Sequence, residues 1–410
     1  MKEKFMDRKY KIVDFNEEAD IYVINSCSVT NLSTRKTRQE LSKAKKHGKL
    51  VVLCGCYAQE IKDKTDLKNV DIIIGNEEKN DIVDIVESYM KEKKFVFEVS
   101  DIANVKKYSQ KGSLSQKNTI RESIKIEDGC NNFCSYCIIP YVRGRVRSRN
   151  INQIEEEVKN LVKTGVGEIV LVGIEIASYG KDIYDEKISL IDVIERINKI
   201  EGLKRIRLGS IEPRFLTDEN ILRLSKIDKL CPHFHLSVQS LDNNVLRRMN
   251  RKYTREFVLE IVNKLRMYIK DVALTCDIIV GFPGETEDEF KNTVEAVNEI
   301  SFYEMHVFKY SKRKWTKAAT MENQVDGNVA LKRSETLIKI ANNNKLKYMQ
   351  NYLGKNKGVL FESYSNGYLY GYTDNYIKVK VKGEKKLWGT LQKIELCSIE
   401  KELMLGKLLQ

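Results

Sequence analysis

Between about residues 120 and 310, β-branched apolar runs alternate with amphipathic helical stretches, and this alternation limits the possible folds more than any other feature. It predicts six parallel strands with helices covering them. Six such steps fit a partial or whole barrel with functional residues at the carboxyl ends of the strands. A twisted open sheet would give the same count, so both arrangements stay open. The predicted strands are 123–127, 168–173, 206–209, 233–238, 274–281 and 303–308.

The rest of the chain divides by composition into two further blocks. Residues 1–105 alternate strands (19–25, 50–53, 71–74) with helices (35–46, 81–91), which predicts an α/β domain on a parallel sheet. Residues 106–119 are polar and poor in large aliphatics, so they are expected to be a linker. An amphipathic helix is predicted over 329–350. The predicted domains are therefore 1–105, 116–344 and 345–410, the last a small β-barrel of short strands.

Composition excludes several protein classes. No apolar run approaches the roughly 20 residues that a membrane helix needs, and the first residues contain no apolar leader core. Nine cysteines without a leader favour metal binding or catalysis in a reducing cytoplasm over disulfides. The formal net charge is +13, and residues 345–410 hold twelve lysines, no arginine and six acidic residues. A surplus of this size suits a nucleic-acid partner, although a solvated basic surface would look the same.

Three cysteines lie within eight residues directly after the first strand of the six-step block: Cys130, Cys134 and Cys137. A closed zinc site usually has four protein ligands, and the next cysteine or histidine in the sequence is Cys231. Three cysteines fit a 4Fe–4S cluster that leaves one iron open. S-adenosylmethionine can chelate an open iron, and one electron then cleaves it to a carbon radical that abstracts hydrogen from unactivated C–H bonds.

The spacing C-x3-C-x2-C, with the aromatic Tyr136 before the last cysteine, resembles the radical-SAM signature. The wider segments GCNNFCSYCIIPYVRGRVRSR, HFHLSVQS, MNRKYT and DIIVGFPGET resemble the methylthiotransferases. The block 305–325 resembles the branch that modifies threonylcarbamoyladenosine in tRNA. The resemblance covers almost the whole chain. It implies a flavodoxin-like N-terminal cluster domain, a radical-SAM partial (β/α)6 barrel and a C-terminal TRAM domain that binds RNA.

The resemblance also implies an activity. A methylthio group would be added to C2 of N6-threonylcarbamoyladenosine beside the tRNA anticodon, with S-adenosylmethionine as methyl donor and radical source. Cys130, Cys134 and Cys137 would hold the radical-generating cluster. Partners would be the tRNA anticodon loop and an electron-donor protein of the flavodoxin or ferredoxin type. Tyr136 and three residues at strand ends are expected to line the S-adenosylmethionine pocket: Gly173, Glu175 and Gln239.

Methylthiotransferases bind a second 4Fe–4S cluster through three further cysteines, of which Cys27 and Cys56 match two. Both follow β-branched runs, so both are expected at one edge of the sheet. The first family cysteine would lie upstream, and a truncated N-terminus is therefore expected. The second cluster is in doubt as the chain stands. Cys54 could replace the missing ligand, although a buried strand cysteine is the simpler interpretation.

The sequence departs from the family at Leu241 and Trp315, where glycine is usual and where a change could perturb the pocket rim. Three alternative functions remain open: methylthiolation of isopentenyladenosine, methylthiolation of a ribosomal protein, and a non-catalytic remnant that binds RNA. Four alternating arginines after the cysteine loop predict either a phosphate-binding ridge or a solvated edge: Arg143, Arg145, Arg147 and Arg149. The barrel tyrosines could stack RNA bases or fill a core: Tyr368, Tyr370, Tyr372 and Tyr376.

Overall fold

The computed structural model describes residues 1–47, 49–61, 67, 69–109, 119–185 and 187–409. Most of the predicted linker, residues 110–118, lies outside the described residues. The described residues divide into two compact units. The first comprises Met1–Ser113, Asp128–Arg147 and Ser311–Thr320, and the second comprises Leu114–Glu127, Ser148–Tyr310 and Met321–Gln410. No helix among the described residues is long and apolar enough to cross a lipid bilayer.

The first unit is built on a four-stranded parallel sheet whose strands follow one another in chain order. Alternate residues of its second strand enter two separate apolar clusters, Val51 and Leu53 on one face and Val52 and Cys54 on the other. Helices therefore cover both faces, as the sequence predicts. The elements are α1 (Lys2–Asp7), β1 (Ile21–Ser26), α2 (Asn31–Lys46), β2 (Leu50–Gly55), α3 (Cys56–Glu60), β3 (Ile72–Ile74), α4 (Ile82–Glu92) and β4 (Val96–Glu98).

The second unit contains the six predicted strand–helix steps. Its helices are α6 (Ile151–Lys163), α7 (Leu190–Asn198), α8 (Asp218–Leu224), α9 (Asn243–Arg248), α10 (Arg255–Tyr268), α11 (Glu287–Ile300) and α12 (Gly327–Gln350). Its strands are β5 (Arg121–Lys125), β8 (Glu168–Val172), β9 (Arg205–Leu208), β10 (Ser210–Ile211), β11 (His233–Gln239), β12 (Ala273–Val280) and β13 (Glu304–Lys309). The short elements β6 (Glu127–Asp128), α5 (Ile139–Val142) and β7 (Arg147–Ser148) fall between β5 and α6 in the chain.

The strand order of the second unit decides between the two arrangements that the sequence left open. The orders are β5-β8-β9 and β10-β11-β12-β13, and every pair is parallel. Only Gly209 separates β9 from β10 in the chain. A doubly wound open sheet reverses its strand order at a switch point, whereas a barrel runs through its strands in sequence. The sequential order confirms the partial barrel.

One face of each barrel strand packs against the helices and the other faces inward. On β11, Phe234, Leu236 and Val238 belong to the large apolar cluster that the helices complete. The side chains between them, on the opposite face, are all polar. The inner face of this strand therefore carries His233, His235, Ser237 and Gln239.

Residues 356–408 form a closed five-stranded barrel whose last strand inserts between its third and fourth strands. The strands are β14 (Asn356–Ser365), β15 (Tyr368–Thr373), β16 (Lys378–Lys382), β17 (Leu391–Glu400) and β18 (Leu403–Leu408). Leu369, Val379 and Val381 point into the barrel core. Because side chains alternate along a strand, the tyrosines and lysines between them lie on the outer face, so the tyrosines do not fill the barrel core.

Candidate active site

The loop carrying the three cluster cysteines is closed at its base by backbone contacts. Cys130 N donates to Gly144 O at 3.1 Å. Gly129 has φ +87°, and a Cβ there would lie 1.9 Å from the carbonyl oxygen of Arg145. Any side chain at position 129 would force the two ends of the loop apart, so glycine is required for both its conformation and its size.

The thiols of Cys130, Cys134 and Cys137 are free and partly buried. The Asn132 amide donates to Cys130 Sγ at 3.4 Å, and the Cys137 amide donates to the Cys134 carbonyl at 2.9 Å. An N–H directed at sulfur favours the thiolate that metal binding needs. Three cysteines with no fourth protein ligand near them in the sequence suit a cluster with one open iron better than a closed zinc site.

The segment Ser311–Thr320 supports the loop from the side. The amide of Ala318 donates to the carbonyl of Ser135 at 2.7 Å. Arg313 is buried and donates to Asn31 Oδ1 at 2.8 Å and to Thr34 Oγ1 at 3.2 Å, at the start of α2. Sequence reasoning missed this role for Arg313, because nothing in the local pattern distinguishes it from its exposed neighbours.

Trp315 lies in the same segment with φ +64°, in the left-handed region that favours glycine. Its ring is tilted against Tyr141 at 6.4 Å between centroids. The positive φ at position 315 explains why the family usually has glycine there. Tryptophan at this position strains the backbone. At Leu241 the outcome differs, because this residue is fully buried in the apolar cluster of the barrel. The expected perturbation of a pocket rim at Leu241 is wrong.

Cys27 and Cys56 are brought to the same edge of the N-terminal sheet. Ser26 and Gly55 are register partners at the carboxyl ends of β1 and β2, and each cysteine follows directly. Cys27 is exposed, whereas Cys56 is buried at the first position of α3. Both cysteines thus lie at one edge of the sheet, as expected, and their role in a second cluster stays a prediction.

Arg143 provides positive charge beside these thiols. Its Nε donates to Cys56 Sγ at 3.1 Å, and its guanidinium lies 3.5 Å from Asp128. Burial alone would lower the pKa of Arg143, but Cys56 and Asp128 outweigh burial and raise it. The side chain therefore stays charged beside Cys56.

Cys54 is fully buried in the sheet, and burial raises the pKa of its thiol to about 11. A thiol that resists deprotonation is a poor metal ligand. This supports the simpler interpretation of Cys54 as a strand residue packed under the sheet. Cys231 and Cys276 are buried, whereas Cys397 is exposed.

The four alternating arginines do not form an exposed ridge or a solvated edge. Arg143 contacts Cys56, Arg147 is buried 3.7 Å from Asp128, and Arg149 is buried in an ion pair with Glu157. Only Arg145 is exposed, and its guanidinium lies 4.4 Å from the centre of the Phe133 ring. As descriptions of the whole run, both predicted interpretations are wrong, because Arg143, Arg147 and Arg149 are engaged within the fold.

In the second unit, Glu127 organises the loop after β8. Its Oε2 accepts from the amides of Ile174 at 2.9 Å and Glu175 at 2.8 Å, and its side chain is fully buried. A Cβ on Gly173 would lie 2.7 Å from the same oxygen. Gly173 and Glu175, both predicted to line the S-adenosylmethionine pocket, are thus positioned by one carboxylate that sequence reasoning missed.

Two other predicted pocket residues are partly buried. Gln239 ends β11 with φ +64°, directly after an irregularity in the pairing with β12. Backbone strain of this kind concentrates at functional sites. Tyr136 lies in the cysteine loop beside the buried Ser135.

Burial, followed by the negative charge of Glu212, raises the pKa of Glu175 to about 7.

Family models match two of the three blocks of the chain. The radical SAM superfamily matches residues 124–297, and the uncharacterized protein family UPF0004 matches residues 1–75. Across 400 residues the chain is 39% identical to the threonylcarbamoyladenosine tRNA methylthiotransferase MtaB of Bacillus subtilis, covering 96% of this chain and 88% of that protein. The chain belongs to the radical-SAM methylthiotransferases. Their cofactors are a 4Fe–4S cluster and S-adenosylmethionine, as the sequence predicts.

Other methylthiotransferases are nearly as similar. MtaB of Aquifex aeolicus is 35% identical, covering 94% of this chain and 93% of its own. The tRNA-2-methylthio-N(6)-dimethylallyladenosine synthase of Lachnoclostridium phytofermentans is 36% identical, covering 96% and 89%. Among solved structures, the radical S-adenosylmethionine methyltransferase TsrM of Kitasatospora setae matches with a TM-score of 0.56 and 13% identity, covering 74% of this chain and 65% of that one. That likeness supports the fold.

Proposed function

We propose that this methylthiotransferase adds a methylthio group to C2 of N6-threonylcarbamoyladenosine at position 37 of tRNA. The observation that carries the choice of base is the polar inner face of the barrel. Ser237 and Gln239 lie on this face, towards the carboxyl end of β11. An apolar isopentenyl group would leave such groups without partners, whereas threonylcarbamoyl offers a carboxylate and a hydroxyl.

The identity values support this proposal only weakly, since relatives acting on dimethylallyladenosine are almost as similar as those acting on threonylcarbamoyladenosine. Discrimination by polar contacts is stronger in principle. A site built to hydrogen-bond a substituent rejects an analogue lacking it by several orders of magnitude, whereas an apolar pocket discriminates by about 10–200-fold per methylene. The inner face of β11 therefore weighs more than a few per cent of identity.

Cys130, Cys134 and Cys137 would hold the radical-generating cluster, and Gly173, Glu175, Gln239 and Tyr136 would contact S-adenosylmethionine. The bound cluster supplies an electron that makes S-adenosylmethionine a source of hydrogen-abstracting radical. The chain's own part is positioning. Gly129 and Gly144 close the cysteine loop, Ala318 braces it, and Glu127 holds the strand-end loop by two amide contacts.

Cys27 and Cys56 would belong to the sulfur-handling site. Their common sheet edge and the neighbouring Arg143 support this assignment. Asn76 Nδ2 also points at Cys56 Sγ, at 3.9 Å, and donates to the Val142 carbonyl at 2.6 Å. Arg143 and Asn76 thus contact the Cys56 sulfur from two sides. Such contacts are expected around a metal ligand, whereas a cysteine that only packs in the core does not need them.

The test is expression of this chain in a bacterial strain that lacks its own tRNA methylthiotransferases, followed by mass spectrometry of tRNA nucleosides. Methylthio on threonylcarbamoyladenosine alone is expected. The matched control is Cys134→Ala, which should abolish the product, beside Cys397→Ser, an exposed cysteine whose change should not. Methylthio on isopentenyladenosine would instead assign the alternative substrate. If a soluble, cluster-loaded protein gave no methylthio nucleoside, both substrate assignments would be contradicted.

A further inference from the structure

Three neighbouring strands of the barrel bring two imidazoles and a carboxylate together. His235 lies on β11, Asp277 on β12 and His306 on β13. The register pairs His235 with Thr275 and Asp277 with His306. Positions i and i+2 of β12 share a face, so Thr275 and Asp277 both face the histidines. The juxtaposition is therefore fixed by strand pairing and not by flexible loops.

The donor atoms are close enough to share one ion. His235 Nε2 lies 3.1 Å from one carboxylate oxygen of Asp277, and His306 Nδ1 lies 3.2 Å from the other. One donor atom from each of the three residues can be chosen so that all lie within 4.8 Å of one another. Ligands bound at about 2.0–2.2 Å to one zinc-sized ion are separated by little more than 3 Å in tetrahedral geometry. Only small side-chain movements are needed.

Thr275 completes the arrangement behind His235. Its hydroxyl lies 2.8 Å from His235 Nδ1 and 3.2 Å from His233 Nε2. If that hydroxyl donates to His233, it can accept from His235 Nδ1–H, and the Nε2 lone pair then faces the Asp277 carboxylate. Two acceptors 3.1 Å apart need either a proton or a metal cation between them. A partner that fixes the tautomer of a ligating histidine is typical of metal sites.

The opposite hydrogen-bond direction is also complete. His233 can donate to Thr275, Thr275 to His235 Nδ1, and His235 Nε2–H to Asp277. The network therefore has one orientation without an ion and one that presents a lone pair. A cation would select the second, which requires the Thr275 hydroxyl to rotate and both His233 and His235 to change tautomer.

We propose that His235, Asp277 and His306 bind one divalent transition-metal ion of the zinc class in the barrel. Two imidazoles with one carboxylate suit zinc, iron(II) or nickel and are unsuited to magnesium or calcium, which take oxygen ligands. Three protein ligands leave a coordination position open to water or an anionic oxygen. The His306 side chain is 60% exposed, so a metal ion can reach the three ligands from solvent. Neither radical generation nor the identity of the modified base enters this assignment.

The experiment uses the full chain with its iron–sulfur site reconstituted, so that thiols already carry iron. Zinc is added, excess is removed, and zinc, iron and protein are quantified. X-ray absorption at the zinc edge then identifies the ligands. One zinc ion per chain with nitrogen and oxygen neighbours at about 2.0–2.1 Å is expected. His306→Ala should weaken zinc affinity by more than about tenfold with iron content unchanged.

His47→Ala is the matched control, because His47 is an exposed histidine stacked on Tyr22 in the first unit. It should bind zinc as the unmodified chain does. Asp277→Asn supplies a second variant that keeps size and shape. Equal zinc affinity in the unmodified chain and His306→Ala, or a zinc shell of sulfur alone, would overturn the proposal. Zinc content does not depend on methylthiolation, so failure here leaves the proposed function standing.

Discussion

Arg207 donates through Nε to Glu168 at 2.7 Å, and both side chains are almost completely buried. Arg207 also donates to the carbonyl of Asp374 at 3.1 Å, in the hairpin that joins β15 and β16. The neighbouring Arg205 reaches the carbonyls of Tyr372 and Gly358, each at 2.8 Å. Arg205 and Arg207, near the start of β9 in the large barrel, thus hold the small barrel by hydrogen bonds to its backbone carbonyls.

Breaking this pair from one side should be costly. Arg207→Met leaves the Glu168 carboxylate buried without its main partner, and we expect a loss of about 3–5 kcal/mol in the free energy of unfolding. Arg207→Met combined with Glu168→Leu removes both charges and should recover much of that loss. Urea unfolding of the three proteins measures it. A double variant no more stable than the single one would show that the carbonyl contacts matter more than the charge pair.

The same contacts explain why the tyrosine pattern could not be interpreted from sequence. Tyr376 stacks on His233 at 4.6 Å and on Tyr372 at 4.9 Å, with Arg207 at 4.7 Å from its ring. These two tyrosines belong to the contact with the large barrel, whereas Tyr368 and Tyr370 occupy the outer face beside lysines. A period of two along a strand gives the face, but not which part of that face another domain covers.

A second prediction concerns Trp315 and its positive φ. Trp315→Gly removes the backbone strain, and Trp315→Ala removes the ring but keeps the Cβ. Because both lose the contact with Tyr141, their difference isolates the strain. We expect the glycine variant to be more stable than the alanine variant by about 1 kcal/mol. Thermal unfolding of both proteins is the measurement, and an alanine variant at least as stable would mean that φ +64° costs nothing here.

The cluster ligands give a third prediction. Serine at Cys130, Cys134 or Cys137 should prevent stable loading of about four irons per chain under anaerobic reconstitution. Cys54→Ser should leave the iron content unchanged, because the buried, high-pKa thiol is not expected to be a ligand. Iron and sulfide analysis with absorption spectra decides the matter. Iron lost in Cys54→Ser at unchanged thermal stability would assign this cysteine to a cluster after all.

How much of this site was predictable depends on whether its chemistry is local in sequence. The cysteine triplet and Gly129 lie within nine residues, so spacing alone indicates a cluster. Glu127, Arg313 and Asp277 act through strand register or through segments distant in the chain, and no local pattern marks them. The alternating arginines were misjudged for the same reason, because their partners Asp128, Cys56 and Glu157 are assigned by folding.

A fourth prediction follows from the raised pKa of Glu175, about 7 in the folded protein against 4.5 when unperturbed. The protonated carboxyl is favoured by folding, so stability is retained below about pH 4.5 and lost as pH rises towards 7. Glu175→Gln cannot ionise and should become more stable than the unmodified chain by up to about 3 kcal/mol at pH 8. Denaturation from about pH 5.5 to 8.5 tests this, with the exposed Glu201→Gln as control. A stability gap independent of pH would contradict the assigned shift.

The outer face of the small barrel gives the last prediction. Lys378, Lys380 and Lys382 alternate along β16, and Lys380 Nζ lies 4.4 Å from the centre of the Tyr368 ring. A cation held beside a half-buried aromatic ring on an outer barrel face suits single-stranded RNA, whose phosphates contact lysine while its bases stack. Substitution is the appropriate test, because deletion of the barrel would also expose Arg205 and Arg207.

Changing these three lysines to glutamine should weaken tRNA binding and reduce the slope of log affinity against log salt by about 2–3, since each phosphate contact contributes about 0.7–0.9. The control carries the same charge change at Lys163, Lys199 and Lys226, which are exposed at or just beyond the ends of helices of the large barrel. If net charge alone attracted tRNA, both triple variants would lose affinity equally. A reduced salt slope confined to the β16 variant is expected, because these lysines lie beside tyrosines of the neighbouring strand β15.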